Sequence, residues 1–210
     1  MKFIGGALCL DFVNTVGARV STRRAKRRRD YADTVLRDKI GGFSDLLTWA
    51  QESGALSREE ARRLANLSER RPPEAAEVMK RAVVLRESLY RIFKCEFEGW
   101  TPEPGDVATL EKEIASLRTN ERLRPSANEW TWTFPPSSLE SVLWIVARSA
   151  AELLTSPELT KLKQCPGDEC GWLFLDNSQN RRRQWCDMKI CGNRAKVKRF
   201  RERKTLHSAQ

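Results

Sequence analysis

Four cysteines carry the clearest chemistry in this chain. Cys165, Cys170, Cys186 and Cys191 fall within 27 residues in the pattern C-x4-C-x15-C-x4-C. A gap of two to four residues lets one turn present two thiolates to the same ion, and the 15-residue spacer suits a hairpin that returns the chain to the first turn. Four thiolates select a soft, tetrahedral ion, most simply Zn2+. An iron–sulfur cluster also takes four thiolates, but ferredoxin-type spacings differ from these. Four protein ligands close the coordination shell, so the ion would be structural rather than catalytic. A segment this short has a small core, and zinc binding supplies roughly 10–16 kcal/mol in small fingers. Cys9 and Cys95 lie far away with no partner pattern and read as small core residues.

The second chemical feature is positive charge. The 210 residues carry a formal net charge of +10, and residues 161–210 hold 13 Lys and Arg against 5 Asp and Glu. That imbalance favours a polyanion, either nucleic acid or an anionic membrane surface. After Cys191, the stretch Gly192 to Lys204 has helical periodicity, with Val197 and Phe200 spaced to face the zinc body. Arg194, Lys198 and Arg201 form one basic row, and Lys196, Arg199 and Arg203 another, with Lys204 at the end. Arg181, Arg182 and Arg183 lie in the spacer, and the whole set is the candidate nucleic-acid surface. A second basic block, residues 19–29, has seven Lys and Arg and no acid, and reads as a solvated, mobile loop. Enzymatic signatures are missing: there is no G-x-x-x-x-G-K, no G-x-S-x-G and no H-E-x-x-H, and the single histidine, His207, lies in the tail. The chain therefore reads as a non-enzyme.

The elements that must position these groups are mostly helical. Residues 3–15 are apolar and fit either a strand or the entry to a buried helix. Ser44 reads as the cap of a helix running to about Ser53, stopped by Gly54, and Ser57 with Glu60 forms a capping box ahead of Ala61, Leu64 and Leu67. Pro72-Pro73 opens a long helix with Met79, Ala82, Leu85, Leu89 and Ile92 on one stripe, ended by Gly99 and Pro102. Val107, Leu110, Ile114 and Leu117 mark another amphipathic helix. Trp130 to Phe134 alternates with period two and reads as a strand pairing with the segment Arg122 to Pro125, its aromatics packed between sheet and helix. Ser137 and Glu140 form a second capping box before the apolar helix from Leu139 to Leu154. Ser156-Pro157 starts a short helix and marks the domain boundary. Beyond it, Gly171 to Asp176 and Arg181 to Trp185 read as the two strands of the finger hairpin.

The start of the chain loosely resembles a signal peptide, but Asp11 and Asn14 interrupt its apolar core, so the protein reads as cytoplasmic. No apolar run reaches the ~18 residues of a membrane helix, and no membrane partner is expected. In the cytoplasm the cysteines start as thiols or metal ligands.

At Cys191-Gly192-Asn193-Arg194 the C-terminal segment resembles the CGNR zinc finger. The resemblance also covers Cys165-x4-Cys170-Gly171-Trp172-Leu173-Phe174 and Asn180-Arg181-Arg182-Arg183-x-Trp185-Cys186. The N-terminal part resembles the ABATE domain through Leu8-Cys9-Leu10-Asp11-Phe12-Val13-Asn14-Thr15 and the block Leu143-Trp144-x-Val146 to Leu154. The resemblance implies a bacterial stress-response transcription regulator, acting at the nucleoid. It implies a treble-clef-like finger with one structural zinc on Cys165, Cys170, Cys186 and Cys191, and Arg194 with the following helix as the DNA contact. It also implies an N-terminal domain that senses a small ligand or signal, with Asp11, Asn14 and Trp144 as pocket candidates. The basic block at residues 19–29 departs from the family pattern, as a second phosphate contact or an insertion.

The expected fold is α+β: a mainly helical N-terminal domain with a small β-hairpin, residues 1–158, then the finger, residues 160–204, and a tail, residues 205–210. The expected function is DNA-binding transcription regulation. RNA binding and an acidic protein partner for the zinc module are the alternatives, and a homodimer is left open.

Overall fold

The computed structural model describes residues 1–21, 33–126 and 129–208. Helix α4 (Pro72–Glu98) is the spine, 27 residues long and thus about 40 Å. Two prolines in its first turn need no amide partner there, and Gly99 closes it in the left-handed conformation at φ 70°. Its buried stripe includes Val78, Ala82, Leu85, Leu89 and Phe93.

The other helices pack around that stripe. Helix α1 (Leu8–Val13) buries Cys9, Leu10, Phe12 and Val13, which resolves the ambiguity of the N-terminal run in favour of a short helix. Helix α2 (Phe43–Glu52) places Trp49 against Phe12, ring centroids 5.0 Å apart. Helix α3 (Arg58–Arg70) begins at the expected Ser57/Glu60 capping box, both halves of which form. Helix α5 (Pro104–Asn120) buries Leu110 and Leu117. The most apolar helix, α6 (Ser141–Leu154), is buried at Val142, Leu143, Trp144, Val146, Ala147 and Ala150. Two expected caps are absent. Helix α2 starts from Gly42, so Ser44 lies inside its first turn, where its carbonyl accepts from Thr48. Helix α6 starts from Glu140 without a side-chain cap, because the Glu140 carboxylate is taken by Arg81 of α4.

Ion pairs tie α4 to its neighbouring helices. Arg81 also grips Glu113 of α5 through two hydrogen bonds, 3.1 and 2.8 Å, and Arg91 holds Asp106 at 2.6 Å. Forked contacts of this kind fix helix positions as well as charge.

Strands β1 (Val16–Ser21) and β2 (Asp33–Asp38) form an antiparallel pair beside α4. Arg19, expected in a solvated block, is instead 3% exposed. Its guanidinium meets Glu87 at 2.6 and 3.1 Å and lies 3.9 Å from the centre of the Tyr90 ring. A neighbouring carboxylate and an aromatic face make that burial possible. The remainder of the basic block, from residue 22 onward, lies outside the described residues.

Strands β3 (Arg122–Ser126) and β4 (Glu129–Thr133) pair as expected, from Arg122 opposite Thr133 to Ser126 opposite Glu129. The expected aromatic packing does not form. Trp130 is 67% exposed and Trp132 53%, and among the described residues the hairpin is a separate two-stranded sheet. Only Phe134, beyond the strand, turns inward, 5.4 Å from the Trp144 ring. The short turn Pro157–Lys161 follows α6, with the Ser156 hydroxyl accepting from the Glu158 amide at 3.1 Å. Among the described residues, no helix is long and apolar enough to cross a membrane.

Candidate zinc centre and basic helix

The finger begins with strands β5 (Leu162–Gln164) and β6 (Leu173–Leu175), paired antiparallel with Leu162 opposite Leu175. The turn joining them carries the first two cysteines. The Cys165 amide donates to the Trp172 carbonyl at 2.8 Å, and the Cys170 amide to the Gly167 carbonyl at 3.1 Å. Gly167 leaves little room for a side chain there. A β-carbon would lie 3.1 Å from that of Cys170 and 3.5 Å from the Cys191 sulfur.

The expected hairpin partner, Arg181 to Trp185, is not a strand. Its carbonyls are taken by side chains: Lys163 Nζ donates to those of Arg181 and Arg183 at 2.6 and 3.3 Å, and Arg183 Nε to that of Trp185 at 3.2 Å. The Asp187 carboxylate accepts from the amides of Lys189 and Ile190 at 2.8 and 3.2 Å. That caps a wide helical turn (Met188–Gly192) carrying Cys191. Helix α7 (Asn193–Ser208) leads directly from it.

All four sulfurs lie within 4.8 Å of one another, are buried and form no disulfide. Cys170 and Cys186 sulfurs are 3.4 Å apart and Cys186 and Cys191 sulfurs 3.6 Å. A tetrahedron with Zn–S bonds of ~2.3 Å has edges of about 3.8 Å, so the set matches a four-thiolate site. The electrostatics agree. Hydrogen bonds from the Cys170 and Cys186 thiols hold Cys165 far below the ordinary thiol range, while the Cys165 thiolate pushes Cys170 and Cys186 up. Four thiolates this close need a cation between them. The cysteines fit one structural Zn2+.

The finger is joined to the helical core rather than hung from it. Leu162, Leu173 and Leu175 belong to the same buried cluster as α1, α4 and α6. Asn14 donates to the Leu173 carbonyl at 2.8 Å and accepts from its amide at 3.0 Å, completing the open edge of β6 like another strand. Trp172 donates to the Val16 carbonyl at 2.7 Å, and the Lys39 ammonium lies 4.5 Å from its ring centre. Gln164 accepts from Lys94 at 2.7 Å and donates to the Tyr90 hydroxyl at 2.9 Å.

The pocket candidates Asp11, Asn14 and Trp144 each meet protein partners in the structure. Asn14 and Trp144 are buried, and the Trp144 indole donates to Ser116 Oγ at 3.0 Å. Asp11 accepts from the Gly5 amide at 2.8 Å; burial pushes its carboxyl above the ordinary range and that amide pulls it back. Each is occupied by protein partners, as buried polar groups usually are. Cys9 is a core thiol as expected, pushed up to about 12 by burial.

The basic candidates divide into two groups. Arg194, Lys196, Lys198, Arg199, Arg201, Arg203 and Lys204 all lie exposed on α7. Lys198 meets Asp168 of the first cysteine turn at 2.6 Å, which ties the helix to the zinc centre. Arg181 and Arg182 are exposed in the segment after β6. Arg183 is committed elsewhere. Its Nη2 donates to the carbonyls of Cys186 and Ile4 at 2.6 and 3.2 Å, and it lies 4.3 Å from the Phe174 ring centre. Val197 and Phe200 do not face the zinc body. They are 48% and 53% exposed, while Lys198 is the residue that turns to the finger. Trp172 and Gly167 also belong to the centre, Trp172 in its buried cluster and Gly167 against the cysteine side chains.

A helical domain that shares its core with a four-cysteine finger defines the class of protein. The ABATE family model, described as "Putative stress-induced transcription regulator", matches residues 6–157, and the CGNR zinc finger model matches residues 161–204. The chain belongs to the ABATE family and carries a CGNR zinc finger. Neither description is that of an enzyme. No curated protein matches the chain.

Proposed function

We propose that the protein is a DNA-binding transcription regulator in which residues 160–204 contact DNA and residues 1–158 sense a ligand or signal, with residues 205–210 a tail. Cys165, Cys170, Cys186 and Cys191 hold the zinc. The observation that carries this reading is α7, a 16-residue helix whose exposed basic residues rise from the turn bearing Cys191. A helix of this size fits the DNA major groove, ~12 Å wide. Zinc fixes its direction, and lysine and arginine release counterions from phosphate. Arg194, three residues after Cys191, is the strongest candidate for a base, because its fork matches guanine. Arg181 and Arg182 supply flanking phosphate contacts. Arg183 supports them by holding the loop.

The sensing part of the proposal rests on the shared core. A change in the helical domain that moves α1 or α4 acts on β6 through Asn14 or on β5 through Gln164, and so on the base of the finger.

The test is selection of bound duplexes from a random pool, with the wild type beside Cys191→Ser. Enrichment of a common sequence by the wild type and its loss in the variant are expected. With about six phosphate contacts, log K should fall against log salt with a slope of about −5. Equal retention of random duplexes, or stronger retention of structured RNA at the same salt, would overturn the sequence-specific DNA reading.

A further inference from the structure

We propose that the cleft between α3 and the β3–β4 hairpin binds an aromatic monocarboxylate. This names a site and a ligand class for the sensing step proposed above, and rests on that reading only for its biological consequence. The cleft has a volume of about 790 Å3, within the ~300–1,000 Å3 of small-molecule sites. Its floor is apolar: Leu56 and Leu64 are buried, and Phe134 and Pro135 form the far wall.

Its rim is basic. Arg122 and Arg124 are two residues apart on β3, so they share the hairpin face that turns toward Arg63 of α3. Leu123 and its partner Trp132 occupy the opposite face. Among the described residues, Arg63, Arg122 and Arg124 have no carboxylate partner. Arg81, Arg86 and Arg91, which tie α4 to neighbouring elements, each have one. Arg122 is braced by the carbonyls of Thr119 and Glu121, at 2.7 and 2.8 Å.

Two carboxylates also line the cleft, Glu59 and Glu60. Glu60 is spent on the capping box, where it accepts from the Ser57 amide and hydroxyl at 2.8 and 2.7 Å. Three guanidiniums against two carboxylates leave room for one negative charge. A phosphate dianion or a nucleic-acid strand would meet the glutamates unfavourably. A carboxylate matches the arginine fork, and an aromatic body matches the Phe134 and proline wall.

The experiment is titration of the full-length zinc-loaded protein with naphthalene-1-acetate and its neutral amide, read by calorimetry and by shifts of the Leu64 methyl resonances. The wild type should bind the carboxylate at one site, at least tenfold more tightly than the amide. The double variant R63Q/R124Q should lose about tenfold for the carboxylate, while W130S/W132S should be unchanged. Both arginines are exposed, and circular dichroism checks that the variant is folded. No carboxylate binding, equal affinity for the amide, full affinity in R63Q/R124Q, or loss in W130S/W132S would each overturn the site. Binding that leaves DNA retention unchanged would overturn sensing and leave the cleft standing.

Discussion

Asn14 shows how much can depend on one side chain. Its amide both donates to and accepts from Leu173. Truncation leaves a buried donor and a buried acceptor on β6 without partners, each costing ~1–3 kcal/mol. Asn14→Ala should therefore lower stability by about 3 kcal/mol, measured by urea denaturation, whereas Asn14→Asp should restore only the accepting half. Gly167 belongs to the same scale. Gly167→Ala should weaken zinc retention against a chelator, because its β-carbon presses on the Cys170 side chain and the Cys191 sulfur. Unchanged metal loss in that variant would show that the turn relaxes freely.

At the scale of elements, the β1–β2 pair is held to α4 by a group of alternating charges. Arg86 forks onto Asp38 at 2.8 and 2.6 Å, and also meets Glu87 at 3.0 Å, which Arg19 engages from the other side. Burial raises both carboxyls, but Arg86 for Asp38 and Arg19 for Glu87 outweigh it, and both end below the ordinary range. A carboxyl depressed in the folded state contributes stability that is fully present above its unfolded value, near pH ~4, and lost as pH falls through the folded value. Thermal melts should thus show stability falling on acidification below about pH 4, with Arg86→Gln less stable at neutral pH and converging toward the wild type in acid. A constant difference between the two across that range would refute the network as the cause. Helix α7 makes the opposite case. Because Val197 and Phe200 are exposed, the V197S/F200S double variant should keep its stability within about 0.5 kcal/mol. Any loss of DNA retention in that variant is then a surface effect.

For the whole molecule, the decisive feature is that one hydrophobic core contains residues from both matched regions. Removing zinc should loosen the turn after β5 and withdraw support from Leu162, Leu173 and Leu175. Chelation is therefore expected to lower the melting temperature of the entire protein in a single transition, followed by calorimetry. Two separate transitions, with the helical one unmoved by chelator, would mean that the finger folds independently. By the same reasoning, residues 1–158 expressed alone should expose apolar surface and be less stable than the full chain.

Much of this was legible in the chain itself. Cysteine spacing, the long α4 with its prolines and glycine, the Ser57 capping box and the β3–β4 register all depend on residues close together in sequence, where local geometry decides. The zinc set belongs with them, since ligand spacing within each turn is a local property. What only the tertiary structure decided concerns groups whose partners are distant. Arg19 looked like part of a solvated block until Glu87 and Tyr90 made its burial affordable. Arg183 looked like a phosphate ligand until the carbonyls of Ile4 and Cys186 claimed it. Trp130 and Trp132 looked like core until the fold left both exposed. Asp11, Asn14 and Trp144 were pocket candidates by type, and the fold gives each a protein partner. Residue type and spacing determine which interactions a side chain can make. Burial and the identity of the distant partner determine which one it does make, and that choice is written in no short stretch of sequence.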